Sequence, residues 1–186
     1  MSLYGAYLLV LVADSNPAQS PPGAKPPRFH RWHGWLYKRI GRWHPIARHR
    51  IVAYAKASLA YHGKMVYSEG PSRSELFHRP RGKFAGASAD CSQYSATLAH
   101  WSGVTTVTDK DYTGTLCHKG VHLLRAEPGC FVFFGAAPYV HMAVMVSTSQ
   151  AIGFGDQAAP NQSSLAGLLS YFSHIGHPGH EFRDLT

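Results

Sequence analysis

Apolar residues fall at helical spacing in three stretches and at strand spacing in three others. Ile51, Val52, Ala55 and Leu59 share one face of a helix predicted over Arg48 to His62 and closed by Gly63. Tyr94, Leu98 and Trp101 follow Asp90 at spacings that predict a second helix, with Asp90 as its N-cap and Gly103 as its stop. Leu165, Leu168, Leu169 and Phe172 predict a third, followed by a tail from His177 to Thr186. Pro128-Gly129 marks a turn before the apolar run Cys130 to Phe134, and Ala136-Ala137-Pro138 separates that run from Val140 to Val146, the pattern of a hairpin. In its second strand His141, Ala143 and Met145 point to one face and Met142, Val144 and Val146 to the other. A further short strand covers Ala151 to Phe154. Met65 to Arg73 is turn-rich, Ser74 to Ala89 is a basic loop, and Asp109 to Gly114 is a loop. No repeat is visible. Helices and strands in this order predict an α+β domain.

The N-terminal quarter departs from this pattern. Five of the 12 prolines lie between Asn16 and Pro27, which predicts an extended linker. Arg28 to Arg50 holds seven of the 18 lysines and arginines, four histidines, three tryptophans and no acid. It reads either as a short helix around Trp35 to Trp43 lying on an anionic surface, or as a positive face whose tryptophans pack on the domain. The organisation expected is a proline-rich segment over 1–27, a basic aromatic extension over 28–47 and a domain over 48–186. The run Leu8 to Val12 is too short to span a bilayer and has no basic residue before it, so neither an export signal nor membrane insertion is expected.

A formal charge of +8 predicts an acidic partner: nucleic acid, an anionic membrane or an anionic cell wall. The sequence has no glycine-rich phosphate loop, zinc-finger spacing or RNA-binding signature, and nucleic acid is not expected. Cys91, Cys117 and Cys130 are odd in number, which excludes a fully paired disulfide framework. Of the 13 histidines, His118 and His122 have the spacing of a helical zinc pair but enclose Gly120 and lack its glutamate, and His177 and His180 flank Pro178-Gly179. Neither a metal nor a cofactor is expected.

Cys91 sits where a loop becomes a helix, next to free amides and the positive end of the helix dipole, both of which favour thiolate. It is the candidate nucleophile, against the alternative of a small buried hydrophobe.

Tyr67 in a glycine-containing turn, Asp90-Cys91-Ser92 opening a helix, Pro128-Gly129 before Phe131 to Gly135, and His141 leading an apolar strand together resemble the NlpC-type papain-like cysteine peptidases of bacterial cell-wall turnover. The spacing of Tyr67, Gly70 and Arg73, with the run Tyr112 to Leu116, resembles the peptidase domains of actinobacteriophage endolysins. The resemblance covers about Arg48 to the C-terminus. It implies a papain-like α+β fold with the nucleophile at a helix N-terminus packed on an antiparallel sheet. It implies hydrolysis of a peptide amide in peptidoglycan, with Cys91 as nucleophile, His141 as base facing it across the helix–sheet junction, and Tyr67 as an oxyanion donor. The implied partners are peptidoglycan and anionic wall polymers, and the implied place of action is the bacterial wall after release from a host cytoplasm or virion.

Two positions depart from the family pattern. A polar residue that orients the histidine is expected in the strand after it, where this chain has Ala151 to Asp156; Asp156 is the candidate, with a backbone carbonyl or water as the alternative. Cys130 stands where the family commonly has Asp, which opens a Cys117–Cys130 contact. A non-catalytic wall-binding or virion structural protein of the same fold is the alternative function.

Overall fold

The computed structural model describes residues 45–155 and 160–186. The proline-rich segment, most of the basic extension (28–44) and Asp156 lie outside the described residues. Helix α1 (Pro45–Ser58) runs on into a 3-10 turn at Leu59–Tyr61, and Gly63, at φ 71°, ends the segment. Ile51 and Ala55 are buried on the face the spacing predicted. Helix α2 (Cys91–Trp101) starts at the Asp90 cap and stops before Gly103, whose φ is 103°.

Strands β4 (Phe131–Phe134) and β5 (His141–Met145) form the expected antiparallel hairpin, with Phe131 opposite Val144 and Phe134 opposite His141. They lie in the middle of a six-stranded sheet in which every neighbour pair is antiparallel: β3 (Val121–Leu123), β8 (His180–Asp184), β4, β5, β6 (Gln150–Gly153) and β7 (Asn161–Ser164). A second, parallel pair of β1 (Val66–Tyr67) and β2 (Ser88–Ala89) sets Tyr67 beside Ala89, one residue before the α2 cap.

All four residues of β4 are buried, because both faces of the sheet are covered. Phe131, Phe133, Met142, Val144 and Ile152 pack in one cluster with α1 and α2. Val132, Phe134, Ala143, Met145, Ala151 and Phe182 pack in another with Phe172 of α4 (Leu165–His174). The fold is therefore a three-layer mixture of helices and antiparallel sheet, in agreement with the α+β expectation. Trp101 closes the far end of α2, edge-on to Tyr54 of α1 and Phe84 of the preceding loop.

The expected C-terminal tail is instead a central strand. Strand β8 lies between β3 and β4, yet its sequence has one buried apolar side chain, Phe182, flanked by the ion pair of Glu181 and Arg183. No alternation announces such a strand; its neighbours supply the burial. Strands β3 and β7, of three and four residues, escape the pattern for the same reason. The expected loop over Asp109 to Gly114 runs into helix α3 (Thr113–Lys119), whose N-terminal turn is closed by Tyr112 and Thr115.

Arg48, counted in the basic segment, is a structural residue. It is buried, its Nη1 lies 2.8 Å from Glu127 and its Nε donates to the Pro128 carbonyl at 3.1 Å. The turn it grips needs glycine: Gly129 has φ 83°, and a Cβ there would stand 2.6 Å from Arg48 Cβ. The Cys117–Cys130 contact is not formed, since the two residues belong to the two different clusters and both are free. Cys130 is fully buried, consistent with a structural role, and its Sγ accepts from the Glu127 amide.

Candidate active site

The start of α2 is held from both sides. Asp90 Oδ1 accepts from the Gln93 amide at 2.6 Å and from Ser92 Oγ at 2.7 Å. Its Oδ2 lies 2.9 Å from Arg73 Nε, an ion pair in which the N–H is not aligned on the oxygen. Arg73 Nη2 also donates to Ser92 Oγ at 3.1 Å and to the Asp111 carbonyl at 2.7 Å. The Tyr67, Gly70, Arg73 spacing thus acquires a physical meaning. Gly70 precedes a 3-10 turn (Pro71–Ser74) that carries Arg73 across to the cap, and β1 carries Tyr67 to the same end of the helix. Asp111 is itself fixed by Lys119 at 2.6 Å, and its carbonyl also takes Gln93 Nε2.

Cys91 is 6% exposed. The Met142 amide, the Thr113 hydroxyl and the Ser92 amide lie close enough to its sulfur to pull the thiol toward ionisation. These favour the thiolate but are outweighed. Burial, and after it the Asp90 carboxylate, push the thiol up from 9.0 to about 11. The expectation of a thiolate-favouring site is therefore corrected: the residue that caps the helix also sets a negative charge beside the sulfur, and the packing that buries α2 removes the water a thiolate needs.

His141 opens β5, one residue from the amide that Cys91 contacts. Its ring goes the other way. Met142 joins Cys91 in the cluster beneath α2, whereas the His141 imidazole stacks on Phe172 of α4 at 5.3 Å and on Phe134 at 6.1 Å. Gly153 on β6 leaves room for it: a Cβ there would lie 3.4 Å from His141 Nε2. The imidazole lines an open cavity of about 430 Å3 together with Tyr67, Glu69, Gly153, Asn161 and Tyr171. The structure thus brings Cys91 to the backbone of β5 but turns the two side chains to opposite faces of the sheet.

Tyr67 joins the two regions. It lines the cavity, and it is near enough to Cys91 and Asp90 to feel their charges. Its hydroxyl donates to Glu69 Oε1 at 2.8 Å, so the proton that would serve an oxyanion is committed to a carboxylate. Burial, and then that hydrogen bond, hold the phenol well above its ordinary value of 10.0. Phe154 stacks on Tyr94 at 5.2 Å and on Tyr67 at 6.1 Å and belongs to the core.

Several residues here had no sequence reading of their own. Thr113 was placed in a loop, Glu69 and Gly153 carry no motif, and Asn161 lies on an unannounced strand. The glutamate two residues after Tyr67 was the available signal, since i and i+2 share a face in an extended segment. His118 ends up on α3 and His122 on β3, so they are not a helical pair. Among the described residues no three His, Cys, Asp or Glu side chains gather as a metal site. No helix among them is long and apolar enough to cross a membrane.

No family model matches the sequence. No curated protein matches it either. Among solved structures the chain is similar to the crystal structure of the P60 domain of an antigen from M. avium subspecies paratuberculosis, with 15% identity and a TM-score of 0.46, over 74% of this chain and 96% of that one.

Proposed function

We propose that this chain is a cysteine peptidase that cleaves an amide bond in the stem peptide of bacterial peptidoglycan. The observation that carries the reading is the seat of Cys91: the first residue of a buried, firmly capped helix, its sulfur against the β5 backbone one residue from His141, and near enough to Tyr67, which lines the open cavity, for the two to feel each other's charge. In the reaction His141 takes the Sγ proton as sulfur bonds to the amide carbonyl carbon, then gives it to the amine as the C–N bond breaks. Water attacks the resulting thioester, releasing the acid and restoring the thiol. Asp156 is kept as the group proposed to orient the imidazole, and Tyr67 as the proposed oxyanion donor. The first step requires the imidazole to leave Phe172 and come round the end of β5 to the sulfur. The motif resemblance at Tyr67 to Arg73 and at Tyr112 to Leu116 supports a phage-encoded, lytic form of this activity, and the +8 charge supports enrichment on an anionic wall.

Digestion of purified peptidoglycan with mass analysis of the fragments tests the reading. The wild type is expected to release peptide fragments with new termini, and Cys91→Ala and His141→Ala are expected to release none. Undiminished release by Cys91→Ala would overturn it. A second reading, a non-catalytic wall-binding protein of the same fold, is favoured by two observations: the thiol is pushed up to about 11, and the His141 ring is stacked away from it. That reading predicts sedimentation with cell walls and no release of fragments by any form.

A further inference from the structure

The described residues contain eight of the ten acidic side chains, Asp14 and Asp156 lying outside them. Seven of the eight face a basic partner: Glu75 with Arg79, Asp90 with Arg73, Asp109 with His78, Asp111 with Lys119, Glu127 and Asp184 with Arg48, and Glu181 with Arg183. Glu69 is the exception. Among the described residues it accepts only the neutral Tyr67 hydroxyl, although the lysines and arginines there also outnumber the acids. A shortage of cations does not explain that, so the location does. Glu69 stands in the wall of the 430 Å3 cavity, whose basic side chains among the described residues are the imidazoles of His141 and His177, with no lysine or arginine.

The rest of the wall is suited to what would follow an ammonium group. Val140, Tyr171 and Ile175 line the cavity and are three of the large apolar side chains the described fold leaves exposed, Tyr171 at 57%. Ala143 and Gly153 leave space at the cavity's floor, and Asn161 and Ser163 offer amide and hydroxyl groups from β7, an edge strand of the sheet. An acid at one side, apolar walls and polar groups on a sheet edge describe a site for an extended peptide carrying a primary ammonium on an aliphatic stem.

We propose that Glu69 is the specificity residue of this cavity, pairing with a primary ammonium on the peptide substrate. This rests on the peptidase reading for the cavity's purpose, but not for its measurement. On binding, the carboxylate exchanges a neutral donor for a charged one, a shorter and stronger hydrogen bond.

The test is binding of N-acetyl-Ala-Glu-Lys amide against the same peptide acetylated at Nε, measured by titration calorimetry on the full-length chain and on full-length Glu69→Gln. Since Glu69 is exposed, the free ammonium is expected to bind only roughly fivefold more tightly to the wild type, with the preference shrinking as salt is raised. Glu69→Gln, with an unchanged melting temperature, is expected to bind both peptides alike. Equal affinities in the wild type, no binding of either peptide, or a preference that survives Glu69→Gln overturns the proposal. An ammonium preference without digestion of peptidoglycan would sink the peptidase reading and leave this one. Digestion with equal affinities would do the reverse.

Discussion

The protonation of Cys91 gives the sharpest prediction, because a nucleophile and a buried hydrophobe differ most in how they answer to pH. Burial and the Asp90 carboxylate raise the thiol from 9.0 to about 11, a preference for the neutral form worth about 3 kcal/mol. At pH 8 the sulfur is then ionised about one hundredfold less than an ordinary thiol. Iodoacetamide labelling of the native chain, followed by peptide mass analysis between pH 6 and pH 10.5, reads this directly. The absolute rate also carries the effect of 6% exposure, so the slope is the deciding quantity. Labelling of Cys91 is expected to climb about tenfold per pH unit with no plateau below pH 10, and Cys130, also raised to about 11, to climb with it. A Cys91 rate that levels off between pH 6 and pH 8, and loses that plateau in His141→Ala, would refute the reasoning and show that the imidazole already holds the sulfur as an ion pair in the resting protein. The same shift has a consequence for stability. The folded state holds both thiols protonated up to about 11, while the unfolded chain ionises them near 9.0, so stability is whole below pH 9 and falls as pH rises from 9 toward 11, by about 3 kcal/mol for each thiol.

Three further outcomes follow from the packing. Gly129→Ala places a Cβ 2.6 Å from Arg48 Cβ at a φ of 83° and is expected to cost about 3 kcal/mol in denaturant melts, against about 1 kcal/mol for Gly63→Ala, where φ is 71° and nothing stands within 4 Å. Arg73→Met removes the ion pair to Asp90 and the bonds to Ser92 and the Asp111 carbonyl, and is expected to cost about 2 kcal/mol and to lower digestion of peptidoglycan. Deleting residues 1–44 ends immediately before α1 and spares the Arg48–Glu127 pair, so the melting temperature is expected to hold while salt-sensitive sedimentation with cell walls weakens; a lower melting temperature would make the basic segment part of the fold.

Local chemistry in the sequence determined the helices that matter. Asp90 and the Tyr94, Leu98, Trp101 spacing located α2, Gly63 and Gly103 marked helix ends, and Pro128-Gly129 with the apolar runs after it located the β4–β5 hairpin. Such signals are local because caps, turns and amphipathic periods satisfy groups within a few residues of one another. The parity of β5 was also in the sequence: His141 and Met142 had to leave the strand on opposite sides. Which side looks toward Cys91 was not. That depended on β8 entering beside β4 and on α4 covering the second face, and the strand that completes the sheet, His180 to Asp184, carries no pattern to announce it. Tertiary pairing put Met142 against the sulfur, gave the His141 ring to Phe172, and left Glu69 as the described acid without a basic partner, because each of these facts depends on residues far apart in sequence meeting across a sheet.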